Sequence, residues 1–340
     1  MKNILSHLAA FQTHDIDWMT AMGQLLELTE GQALVHAGCE PGGLYILLSG
    51  SLAVQLPTNS LGTSTEEFAQ LSPGELVGDL CFIDQKRAAI TTTALEFSQV
   101  LAIPKQILVD KVSSDTAFAT GLYQTLAIHL SNKLRALSDL LARDRVASSP
   151  SLQKVLFVFA ILNDNDLAWM ITNGKREQIT EGTAIIEAGA VVESVSILLE
   201  GTLGIFIPTV VEGKRLEPAV AKSIPGEILG EMSFIQAGKA SATVRALEDC
   251  LLLTLPQALL NQRMQADSGF QMRFYRAITT LLADRLRTQI RGYELAKVGH
   301  PTNAIEANSM DSHQELDLTV LENTTIAGMR FDWMFKRLMN

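Results

Sequence analysis

Residues Gly74 to Ala94 read GELVGDLCFIDQKRAAITTTA, a stretch whose residue types suit the capture of an anion. A glycine-and-acid turn, Gly78–Asp79, runs through Leu80 into a short apolar segment. Arg87 and the small residues Ala88 and Ala89 follow, and then a Thr-rich run. Glycine beside small residues lets a backbone approach a ligand and aim its N–H groups at negative charge. The chemistry this pattern offers is a phosphate cradle. Catalytic chemistry has no comparable signal. No G-x-S-x-G, no P-loop lysine and no Cys/His constellation occurs, and the six histidines show no metal-ligand spacing.

The same pattern returns later in the chain. SIPGEILGEMSFIQAGKASATVRALE, Ser223 to Glu248, repeats the glycine-acid turn as Gly230–Glu231 followed by Met232, and the basic-small run as Lys239, Ala240 and Ser241. Upstream, LTEGQALVHAGCEPGGLYILLSGSLAVQLP (from Leu28) aligns without a gap with ITEGTAIIEAGAVVESVSILLEGTLGIFIP (from Ile179). A repeat of this length in a chain of 340 residues means two copies of one domain of ordinary size. The first spans about residues 1–147 and the second about 153–297. A Ser- and Pro-rich join lies between them at 148–152, and a tail of 298–340 has no counterpart in the first copy.

The elements that must position the two cradles are legible from pattern. Each copy starts with a helical segment (Ile16, Met19 and Met22 in the first). A dense series of short apolar or alternating runs follows, such as ALVHAG, LYILLSGSLAVQLP and QVLAIP, separated by Gly, Pro and Ser. This predicts an antiparallel sandwich or barrel. Each copy closes with a long amphipathic helix. Phe118, Leu122, Leu126, Leu130, Leu134, Leu137 and Leu141 form one stripe, and Phe270, Phe274, Ile278, Leu281, Leu282 and Ile290 form the other. The stripes predict packing on the parent barrel, with Leu134 to Leu141 equally suited to a dimer seam.

With these motifs in order, each copy resembles the cyclic nucleotide-binding domain. The resemblance rests on G-x-x-L-Y-I-L-L-S-G-S-L from Gly42, S-I-L-L-E-G-T-L in the second copy, and the L-x-P-G-E-x-x-G-[DE] approach to the cradle. It implies a mainly β fold with flanking helices, two tandem jelly-roll-like β-rolls, and no enzymatic activity. It also implies cyclic AMP or cyclic GMP as ligand, held by cradle N–H groups, by the acid of the Gly-acid pair on the ribose, and by an arginine on the phosphate. Asp79 and Glu231 stand at the acid positions. The arginine positions, nine residues further on, hold Ala88 and Ala240. The basic residues Arg87 and Lys239 come one place too early, where they read as solvated surface cations. A hydrogen bond to a charged group is worth roughly 1.5–3 kcal/mol, so this loss predicts a weak site or none.

The net charge of −10 argues against a nucleic-acid binder, and the tail is too short for the DNA-binding domain of the catabolite activator relatives. Three distant cysteines without a CxxC suit a reducing compartment, and no apolar run is long enough to span a bilayer. The expectation is a cytoplasmic protein. In the tail, an amphipathic helix is predicted at about 328–339, with Phe331, Trp333, Met334, Phe335 and Leu338 on its apolar side. Its destinations are the chain's own domains, a protein partner or a membrane surface. Leu316 to Ile326 reads as an added edge strand. Together these readings predict a regulatory or adaptor protein acting through protein contacts, with a nucleotide sensor as the alternative and a homodimer open.

Overall fold

The computed structural model describes residues 10–58, 64–144, 157–211, 214–236, 238–298 and 318–339. The join predicted at 148–152 lies outside them, as does the first part of the tail. Each copy is an antiparallel sandwich of two four-stranded sheets. In the first, one sheet orders Gln24–Leu28, Ser98–Pro104, Gly43–Ser49 and Leu76–Val77. The other orders Ala33–Val35, Thr91–Ala94, Leu52–Pro57 and Thr65–Leu71. The second copy repeats both sheets strand for strand and adds a hairpin, Thr209–Val211 with Lys214–Leu216. The apolar faces of Leu44, Ile46, Leu52, Val54 and Val100 meet between the first pair of sheets, and all five are buried. This is the period-two burial expected where one strand face packs on another sheet.

A cradle helix interrupts each roll, Asp79–Asp84 in the first and Glu231–Ile235 in the second. Each begins at a left-handed glycine, Gly78 (φ 88°) and Gly230 (φ 82°). A Cβ on these glycines would fall 2.6 Å from the Gly43 carbonyl oxygen and 2.5 Å from that of Ser194. Both the dihedral and the space therefore require glycine.

The closing helices, Thr116–Asp144 and Ser268–Val298, pack on each other as well as on their barrels. Their contacts run in the same direction along both. Thr279 Oγ1 donates to the Tyr123 carbonyl at 2.9 Å, Ser138 and Gln289 exchange hydrogen bonds at 3.0–3.1 Å, and Lys297 meets Asp144 at 2.9 Å. Residues in contact are thus nearly repeat-equivalent, so the helices are parallel and the two copies are related by a pseudo-twofold axis along the seam. The seam anticipated for Leu134 to Leu141 lies inside one chain.

The tail corrects one expectation. Leu318–Met339 is a single helix of 22 residues, so the segment read as an edge strand is helical from Leu318 onward. The helix that buries Ala327 and Met334 extends back through this segment, tertiary context overriding local strand preference. The helix packs on the second domain's entry helices, Phe157–Ile161 and Asp164–Asn173. The Phe331 ring meets Phe159 edge-on with centroids 5.2 Å apart. Arg330 donates to Asp164 and to the carbonyls of Phe159, Ala160 and Leu162 that end the first entry helix. A cation on these unpaired carbonyls is favoured by the helix dipole.

Candidate functional site: two cradles closed from within

Each cradle acid is neutralised by a cation from its own closing helix. Lys133 Nζ donates to Asp79 Oδ2 at 2.6 Å and to the Leu76 carbonyl at 3.1 Å; Lys133 is 4% exposed and Asp79 2%. In the second domain Arg285 donates to Glu231 Oε1 at 2.5 Å, to Glu227 Oε2 at 3.0 Å and to the Ile228 carbonyl at 2.7 Å. Burial pushes the Glu231 carboxyl up, against the opposing pull of Arg285. Lys133 and Arg285 occupy the same place in the repeat, as do Asp79 and Glu231. The arrangement is therefore built twice, with an ammonium in one copy and a guanidinium in the other.

Arg87 and Lys239 are exposed. Ala88 is buried and tied into a backbone ladder with the turn opposite: its N–H donates to the Cys39 carbonyl at 2.8 Å, and Gly38 donates to its carbonyl at 2.7 Å. Ala240 is held in the same way by Ala190 (2.9 Å) and Gly189 (2.7 Å). The two alanines are thus held alike in both copies, each bridged to the turn opposite. Leu80 is buried behind the first helix and Ala89 is half-buried. Met232 and Ser241 line an open space in the second domain.

That space distinguishes the two copies. A cavity of about 180 Å³ lies between the second barrel and both closing helices. Its apolar walls come from Ile205, Ile207, Ala221 and Met232, and its other side from Leu134 and Arg135 of the first domain and Arg285 of the second. At the corresponding places beside the first barrel, Ile290 replaces Ser138 and Tyr293 replaces Leu141. Ile290 and Tyr293 are fully buried, and the Tyr293 hydroxyl donates to Glu66 on the strand Thr65–Leu71.

A family model for the cyclic nucleotide-binding domain matches residues 25–115 and again 176–267, more than half of the chain. The chain belongs to the cyclic nucleotide-binding domain family. Among solved structures, a cyclic AMP-bound regulatory domain of Toxoplasma gondii protein kinase A is 16% identical, with 78% of this chain and 97% of that one covered and a TM-score of 0.30. A regulatory subunit of a cyclic AMP-independent protein kinase A from Trypanosoma cruzi, bound to guanosine, is 16% identical over 92% of this chain and 90% of that one, also at 0.30. The cyclic AMP-bound PfPKA-R (residues 141–441) is 14% identical, covering 89% and 93% at 0.33. No curated protein matches. Within this family, then, the present cyclic nucleotide-binding domains carry an intramolecular cation on each cradle acid. Sequence reading passed over Lys133 and Arg285 because each sits in a helix stripe that reads as apolar. The available signal was their equivalence: a cation recurs at one position of both stripes, in a place that packing would fill with leucine.

The domains also hold each other's cradles across the seam. Arg287 of the second closing helix pairs with Asp84 at the end of the first cradle helix through a two-point contact, and donates to the Arg87 carbonyl at 3.1 Å. In the opposite direction Gln236 Nε2 donates to Asn132 Oδ1 at 3.1 Å. Burial also lifts the Cys81 thiol, on the first cradle helix, to about 11. Among the described residues no helix is long and apolar enough to cross a membrane, and no acidic, His or Cys cluster could hold a metal ion.

Proposed function

We propose that the protein is a non-enzymatic cytoplasmic regulator that acts through protein contacts and is not a conventional cyclic nucleotide receptor. The observation that carries this reading is the capture of Asp79 by Lys133 and of Glu231 by Arg285, both buried, with alanines at the clasp positions. A cyclic nucleotide would have to displace a buried ion pair and would meet no arginine in return. The outward side of the C-terminal helix supports a partner surface. Met329 and Trp333 are exposed there, one turn apart from each other, while Phe331, Phe335 and Leu338 are half-buried and Met334 is buried against the second domain. Calorimetry with cyclic AMP and cyclic GMP should give no heat at micromolar concentrations. Low-micromolar binding that Glu231→Ala abolishes would overturn the reading.

A second reading, a ligand sensor, is favoured for the second domain alone by its cavity of about 180 Å³. The cavity is walled by both closing helices, so a ligand there would act on the seam that joins the domains. Such a ligand shifts the helices only if it binds their two arrangements with different affinity.

A further inference from the structure

The pseudo-twofold axis pairs positions of one closing helix with positions of the other, so broken pairs stand out. Arg287 crosses the seam to Asp84 on the first cradle helix. Its repeat partner is Arg135, on the first closing helix, which packs against the second cradle helix. The residue equivalent to Asp84 is there Gln236, which is neutral, donates to Asn132 and leaves its Oε1 buried without a partner. Among the described residues Arg135 therefore has no carboxylate partner. It is half-buried, its Nε meets no acceptor, and the residue lines the second-domain cavity.

We propose that Arg135 is the oxyanion-binding residue of the second-domain cavity, so that a ligand placed there bridges the two domains. The class of ligand follows from the walls. Leu134, Ile205, Ile207, Ala221 and Met232 suit an apolar or aromatic body of modest size. Arg135 suits a single carboxylate, sulfonate or phosphate, which a guanidinium binds through a planar pair of donors. Arg285 does not compete for this role, because Glu227 and Glu231 already neutralise it. Of the acids that also line the cavity, Asp284 has a partner of its own and Asp139 is exposed to solvent. The counter-ion thus comes from the other domain's helix, and the position Ala240 beside the cradle stays uninvolved. The inference rests on the second-domain sensor reading for its consequence, but not for the binding itself.

Two fluorescent probes isolate the claim. 8-Anilinonaphthalene-1-sulfonate carries an apolar aromatic body and one oxyanion; N-phenyl-1-naphthylamine carries the same body without the charge. The full chain should bind the sulfonate about tenfold or more tightly than the amine, the span set by one hydrogen-bonded charge. Arg135→Ala should bring that ratio close to one, while Arg135→Lys keeps most of it. Ser241→Trp, at an exposed lining position, should weaken both probes. A ratio near one in the unaltered chain, a ratio untouched by Arg135→Ala, or probe binding indifferent to Ser241→Trp would each overturn the proposal. If the ratio behaves as expected while hydrogen exchange along the closing helices is unchanged by the sulfonate, the binding site stands and the sensor reading falls.

Discussion

The buried pair Lys133–Asp79 makes a prediction whose sign separates two kinds of explanation. The charges lie 2.6 Å apart, with side chains 5% and 2% exposed. Coulomb attraction at that distance, with an effective dielectric constant near 20, is about 6 kcal/mol before any desolvation. Desolvating each ion costs several kcal/mol, so the intact pair contributes little against an apolar pair of similar shape. Removing one partner is different, because the survivor stays buried with its cost unopposed. Lys133→Met should therefore destabilise the first domain by about 3–5 kcal/mol. Asp79→Asn should also destabilise, since the ammonium would keep only the Leu76 carbonyl. The double variant should lose less than the sum of the single losses, by an interaction energy of about 2–3 kcal/mol. The assay is urea unfolding of all four proteins, with native-state hydrogen exchange of the first-domain strands locating the effect. A loss under about 1 kcal/mol for Lys133→Met, or additive losses, would show that the cation is solvated and that Asp79 is not held by it.

Other consequences are quicker to check. Burial pushes Glu294 up to about 7 despite Arg291 and Arg287 nearby. Folding then takes up a proton, so this group's stabilising contribution is full below about pH 4.5 and is lost as pH rises through 7. Glu294→Gln should raise stability at pH 8 by about 1–2 kcal/mol, discounted for partial exposure, and change little at pH 5; thermal melts across that range test it. Met334 is fully buried under the C-terminal helix, and Met334→Ala should loosen that helix by about 2–5 kcal/mol. The readout is lost hydrogen-exchange protection over residues 325–339, with both barrels unchanged. Cys39 is exposed whereas Cys81 and Cys250 are buried, so a maleimide should label one thiol rapidly in the native chain and three in urea.

Much of the architecture can be read from residue order because it depends on local pattern. The repeat, the short-strand series and the Gly78 and Gly230 turns all carry their own backbone requirements. The absent clasp is equally local, a matter of counting from Asp79 to Ala88 and from Glu231 to Ala240. What escapes such reading depends on contacts across the chain. Lys133 and Arg285 meet their acids over a separation of 54 residues, and Arg287 meets Asp84 over 203. An amphipathic stripe states which face is buried but not against what, which is why the closing helices could not be assigned to each other. The same limit applies to the C-terminal helix, whose apolar spacing fits several surfaces until Phe159 and Asp164 provide one.

The seam between the closing helices has a consequence for how such a molecule can respond. In a homodimer both interfaces are encoded by one sequence, so any substitution is felt twice and the two sites stay chemically alike. Joined in one chain, the halves meet at a concentration set by the tether, whatever the abundance of the protein, and each can change alone. One half has used that freedom to place Ile290 and Tyr293 against its neighbour's barrel, the other to keep Ser138 and Leu141. A twofold receptor can sharpen its response by coupling two equal sites. Halves that differ at these positions lose that symmetry, and a ligand seated in the second-domain cavity alone would fill it along a simple hyperbola, graded over about two decades of concentration.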